Sequence, residues 1–281
     1  MNWSNRLQNP QFWLLGIAGA IVGLHLALVD RTGNQELFAT SALFWAAAAS
    51  LLWDKRHTLK LESGTVASSI GAVLLALVFL RSASLSEANQ FLRFMPIVAL
   101  FGLALLASGQ RNLRQYWREF LIFGLFAAYP ILEILLRLLD LSTLTAKVAS
   151  FMLWYSGFPV QRQGVFLQLA TGRVEVYEAC SGLHSTLQML SVSVLFVLTV
   201  TVRPWYKILF CISVALGLGF LVNAARVMVM ALLIGQPAFD YWHTGQGSLV
   251  FSMIAVLLFG VFCWFAFLRD TPTAPGASSH G

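Results

Sequence analysis

Eight apolar runs, each long enough to cross a bilayer, govern what this chain can become. They lie near 12–29, 37–53, 65–81, 94–109, 119–138, 182–202, 207–235 and 248–268. A spanning helix needs about 20 mostly apolar residues. Lipid offers no hydrogen bonds, so the backbone of each run must satisfy itself as a helix. Only 11% of the 281 residues are charged, against about 25% in an ordinary soluble domain. A soluble fold of this length cannot hide so much apolar surface. The expected fold is an all-α integral membrane protein with about eight transmembrane helices. The run at 12–29 lacks a small-residue cleavage site and is expected to stay as a helix. The seventh run is too long for a straight span. Gly217, Gly219 and Asn223 are expected to bend it, or its ends to protrude.

Loop charges set an orientation. With Arg6 and the N-terminus inside, the inner loops carry Lys55, Arg56 and Lys60, then Arg111, Arg114 and Arg118, then Arg203 and Lys207, and finally Arg269. The outer short loops balance their charges: Arg31 sits between Asp30 and Glu36, and Arg93 follows Glu87. Both termini are then cytoplasmic. The net charge of +6 suits anionic headgroups and is not gathered into a nucleic-acid groove. Nucleic acid is therefore not an expected partner, and the lipid bilayer is.

The outside receives a long segment, 139–181, and a short loop, 236–247. Phe151 to Phe158 is aromatic-rich and suits the membrane interface. Two runs of β-branched and aromatic residues between Gly164 and Tyr177 flank Ala170-Thr-Gly-Arg173, predicting a short extracytoplasmic hairpin before the sixth helix. The chain then divides into three regions: a five-helix transmembrane part over 1–138, a second part over 139–268, and a disordered cytoplasmic tail over 269–281. Cys180, Cys211 and Cys263 cannot all pair within one chain, and two lie deep in apolar runs, which argues against a disulfide framework. No CxxC or HExxH spacing occurs, so neither a metal nor another cofactor is expected.

Three polar residues stand where chemistry is possible. Cys180 is followed by Ser181 and Gly182 and then by a long helix. A thiol there feels the positive end of the helix dipole, which favours thiolate. Arg226 lies inside the seventh run, about 13 Å from its outer end at 1.5 Å per residue. A buried charge in a span costs at least about 2.5–3.5 kcal/mol and usually has a task. Asn223 shares its helix face. His243 lies in the last outer loop and titrates in the range useful for proton transfer. Loop charges alone put Cys180 and His243 on the same side. Each residue also has a plainer reading: a packed thiol, a carbonyl clamp and an interfacial histidine. His184 is one turn into the sixth run on the side of Cys180. Glu133 and Arg137 read as a local ion pair, while His25, Cys211 and Cys263 read as core.

These residues resemble a known family. Glu178-Ala-Cys-Ser-Gly-Leu183 resembles the nucleophile motif of the exosortase/archaeosortase family, Asn223-Ala-Ala-Arg-Val227 its N-x-x-R helix motif, and His243 with Gly247 and Phe251 its histidine motif. The likeness covers roughly 155–260, and the family's first motif commonly has an arginine where this chain has His184. The resemblance implies a membrane cysteine transpeptidase or endopeptidase with Cys180, Arg226 and His243 as catalytic residues. Glu178, Ser181, Gly182, His184, Asn223 and Gly247 would support them. Its substrates would be exported proteins ending in a PEP-CTERM-type signal, made of a short motif, a helix and a basic tail. A lipid-linked or other acceptor would receive the product at the outer face of a bacterial cytoplasmic membrane. The rivals are a multi-pass transporter, or a non-catalytic subunit of a polysaccharide or protein export system.

Overall fold

The computed structural model of the chain describes residues 10–83, 90–243 and 247–269. Arg6, Glu87 and the tail from Asp270 lie outside the described residues. Among the described residues, eight helices are long and apolar enough to cross a membrane. The chain is thus an all-α multi-pass membrane protein. It packs as two units, Met1–Tyr129 and Pro130–Gly281; the division falls inside a helix.

The first unit contains α1 (Pro10–Arg31), α2 (Gln35–Asp54), α3 (Thr65–Ala83), α4 (Phe91–Ser108) and the start of α5 (Trp117–Arg137). Asn34 caps α2, its Oδ1 accepting from Leu37 N at 2.9 Å. Ile21, Val29, Leu75, Val78, Leu92, Met95 and Ala99 form one core cluster. Outward positions remain apolar, as with Leu15 and Leu80, because lipid rather than water is the solvent there. At Gly71 a Cβ would stand 2.6 Å from Gly102 O, so a glycine lets α3 and α4 approach backbone to backbone. His25 is fully buried and fully used: Nε2 bonds Leu92 O at 2.8 Å, and Nδ1 accepts from Trp45 Nε1 at 3.0 Å.

The second unit holds the end of α5, then α6 (Leu141–Tyr155), three strands, α7 (Leu183–Val200), α8 (Trp205–Leu232), α9 (Ala238–His243) and α10 (Gly247–Cys263). The strands are β1 (Gln161–Gln163), β2 (Phe166–Leu169) and β3 (Gly172–Glu175), in the order β1-β2-β3 and all antiparallel. β2 and β3 pair as an antiparallel hairpin, from Phe166 opposite Glu175 to Leu169 opposite Gly172. β1 is short, polar and exposed, so hydrophobic pattern gave no sign of it. Leu167, Leu169 and Val174 point inward, while Gln168, Arg173 and Glu175 alternate outward.

Sequence pattern missed most of α6. Asp140 begins it, Oδ1 accepting from Thr143 N at 3.1 Å. Ala146, Ala149 and Leu153 on its inner face join the sheet's Leu167 and Leu169 and α8's Val227, Met230 and Ala231 in one cluster that includes Cys180. Phe151, Trp154 and Tyr155 face outward. At 15 residues, about 22 Å, α6 is shorter than a hydrocarbon core of about 30 Å.

The seventh apolar run is one continuous helix of 28 residues, about 42 Å long, and not a broken one. Gly219 sits where a Cβ would meet Ser185 O at 2.9 Å, which makes it a close-packing point between α7 and α8. Cys211 and Cys263 are free cysteines buried in one cluster.

Candidate active site

The turn that carries Cys180 is built before α7 begins. Glu178–Cys180 form a 3-10 turn, and Cys180 N donates to Tyr177 O at 2.9 Å. Ser181 closes it: its Oγ donates to Glu178 O at 2.6 Å, and its main-chain O accepts from the buried Thr145 Oγ1 at 2.8 Å. Gly182 then turns with φ +86 as the residue before α7. That left-handed conformation suits glycine. The position also has no room for a side chain, since a Cβ would lie 2.8 Å from Asn223 Nδ2. The space serves a bond, because Asn223 Nδ2 donates to Cys180 O at 2.9 Å. The asparagine of N-x-x-R therefore holds the cysteine's own carbonyl, and the thiol stands in the turn ahead of α7 and not in its first helical turn.

Arg226 is one turn further along α8, partly buried. The helix ends at Leu232, so Arg226 is about 9 Å from that end and not the 13 Å expected. Its Nε donates to Trp242 O at 3.1 Å and its Nη2 to His243 O at 2.5 Å. The guanidinium thus clamps the end of α9, and its charge acts on both Cys180 and Tyr177. His243 is the last residue of α9, with its ring stacked on Phe239 at 5.4 Å between centroids. Its Nε2 lies 2.7 Å from Tyr177 Oη. The same phenol lies close enough to the Cys180 side chain to interact with it. Burial, then the Cys180 thiol, push the Tyr177 hydroxyl above its ordinary titration range, outweighing the opposite pull of Arg226. It stays a protonated donor at neutral pH.

The structure therefore brings together Cys180, Arg226 and His243 with Asn223, Ser181 and Gly182. Gly247 packs beside them: a Cβ there would lie 2.6 Å from the Trp242 ring. Residues 244–246 between His243 and Gly247 lie outside the described residues. Glu178 points elsewhere. Its Oε1 pairs with Arg137 Nη1 at 2.8 Å, and Arg137 Nη2 holds Glu133 at 2.7 Å, so the local pair is a three-residue bridge. His184 is exposed, whereas Leu183 and Leu187 face inward. Two residues of the site were not singled out from sequence. Tyr177 read as the end of a strand, and Thr145 lay in a stretch with no recognised helix. The signal for Tyr177 was its place in the residue before Glu178-Ala-Cys. Cys180 itself is only 3% exposed. Among the described residues, no three His, Cys, Asp or Glu side chains cluster so as to hold a metal ion.

A cysteine, a phenol, an imidazole and a clamped guanidinium are thus gathered in the second unit of a multi-pass membrane protein. The family model described as transmembrane exosortase matches residues 32–260, and the chain belongs to that family of cysteine transpeptidases. The match begins ahead of α2, so likeness to the family extends well N-terminal of the 155–260 region that carries the motifs. Neither the curated proteins nor the solved structures gave a match.

Proposed function

We propose that this protein is an exosortase-type cysteine transpeptidase or endopeptidase that cleaves the C-terminal PEP-CTERM-type sorting signal of exported proteins. Cys180 attacks the scissile carbonyl as thiolate and forms a thioester. His243 accepts the thiol proton, returns it to the leaving amine and later activates the acceptor. Arg226 anchors the histidine-bearing segment through two carbonyl bonds, and its permanent charge favours the thiolate and the oxyanion. Asn223, Gly182, Ser181 and Thr145 hold the turn that aims the thiol. The observation that carries this reading is the chain of contacts Cys180–Tyr177–His243–Arg226, which links residues far apart in sequence.

The site works at the outer face of a bacterial cytoplasmic membrane, with both termini cytoplasmic. Support comes from the short loops of the sequence: those with Lys55, Arg56 and Lys60, then Arg111, Arg114 and Arg118, then Arg203 and Lys207 alternate with the segments that carry Cys180 and His243. A substrate helix still in the bilayer would deliver its scissile bond to the site by proximity. A lipid-linked or other nucleophile would then release the product. A transporter with its site at a broken helix would need the seventh run interrupted, and α8 is continuous. The test is Cys180→Ala in membranes, with a tagged signal-bearing substrate. The variant is expected to insert and accumulate but not to process; undiminished processing would overturn the assignment.

A further inference from the structure

We propose that Tyr177 relays the thiol proton of Cys180 to Nε2 of His243. The inference rests on the reading of Cys180 as nucleophile and deepens it. The imidazole nitrogen that would take a proton is occupied by Tyr177 Oη at 2.7 Å. The main-chain carbonyl of His243 accepts from Arg226. The phenol therefore holds the base nitrogen and is carried by the same turn as the thiol. Each partner is fixed. Tyr177 O accepts from Cys180 N at 2.9 Å, so phenol and thiol hang from the same turn. The His243 ring is held flat on Phe239 and edge-on to Tyr177, with centroids 5.4 Å and 5.8 Å away. Arg226 grips the backbone of His243 from behind.

The step balances without a co-reactant. The S–H bond of Cys180 breaks and its proton joins Tyr177 Oη. The phenol's own proton leaves for His243 Nε2. The products are a thiolate, a neutral phenol and an imidazolium, with no net gain or loss. When the tetrahedral intermediate collapses, the imidazolium proton returns by the same path in reverse to the leaving amine. Tyr177→Phe keeps the ring contacts and removes the carrier.

The test is single-turnover acylation of full-length enzyme in membranes by a tagged signal-bearing substrate. Tyr177→Phe is expected to acylate about 100-fold more slowly, with KM unchanged. Its rate should keep climbing with pH above neutrality, tracking unassisted thiol ionisation, where the wild-type rate is level. A variant with the wild-type rate and the wild-type pH profile overturns the relay. Should the variant not accumulate, the wild type decides. In mixtures of light and heavy water, two protons in flight give a bowed dependence of acylation rate on deuterium fraction; a straight line overturns the relay. Cys180→Ala run in parallel separates the two levels. If it is inactive, a negative Tyr177 result removes the relay alone; if it is active, the nucleophile assignment falls first.

Discussion

Gly182→Ala is the sharpest perturbation of the cysteine turn, because the backbone and the packing both oppose a side chain there. The backbone stands at φ +86, and a non-glycine residue in left-handed conformation costs roughly 1–2 kcal/mol. The new Cβ would stand 2.8, 3.1 and 3.3 Å from Nδ2, Cγ and Cβ of Asn223. The amide must withdraw and release Cys180 O, a loss of about 1 kcal/mol. Together these disfavour the native turn by about 2–3 kcal/mol, or roughly 30- to 100-fold in its population at 1.4 kcal/mol per decade. Substrate processing by membranes should fall by that factor while the protein still accumulates. Asn223→Ala alone forfeits only the shared bond, so the double variant should be no worse than Gly182→Ala. Parental activity in Gly182→Ala, or losses that simply add, would refute this account of the turn.

Arg226→Lys keeps the charge but cannot span the carbonyls of Trp242 and His243 with a planar fork. Losing one charged hydrogen bond costs about 1.5–3 kcal/mol, so processing should drop about 10- to 100-fold, with faster protease cutting near 236–247; unchanged activity would show the clamp to be idle. Asp140 caps α6, and bonds from the Thr143 side chain and then its main-chain N–H hold the carboxyl below its ordinary range. A depressed folded value stabilises above the unfolded value of about 3.9 and loses that stabilisation as pH falls through the folded one. Asp140→Ala should therefore lower the thermal midpoint near neutrality and leave it equal to wild type in strong acid. Thr171→Cys, in the β2–β3 turn, should react with a membrane-impermeant thiol reagent from outside intact cells, and Arg114→Cys should not; the reverse pattern would invert the orientation.

The spans were legible because hydrocarbon demands long uninterrupted apolar helices, and hydropathy reports that demand directly. Their ends shifted by a few residues where local turns intervene, as at Gln110–Tyr116 ahead of α5. Arg226 was visible because a charge inside a span is costly, and Cys180 because Ser181, Gly182 and a long apolar run come directly after it. The contacts of those side chains were not visible. The main-chain bonds of Arg226 to residues 16 and 17 positions away, and the room Gly182 leaves for Asn223, exist only once α8 lies against the cysteine turn. α6 stayed hidden because its small inward residues, Ala146 and Ala149, carry little hydrophobic signal. Tyr177 stayed hidden because an aromatic residue after a strand looks like packing until its hydroxyl is placed. His184 lies exposed on α7, while its neighbours Leu183 and Leu187 face inward.

The proposed chemistry transfers a peptide carbonyl to sulfur at position 180. Rapidly quenched enzyme and tagged signal-bearing substrate, digested and mapped by mass spectrometry, test it most directly. A hydroxylamine-labile acyl group on Cys180, absent from Cys180→Ala, is the predicted result. An acyl group on Ser181 or Ser185 instead, or product formed with none on any residue, would contradict it.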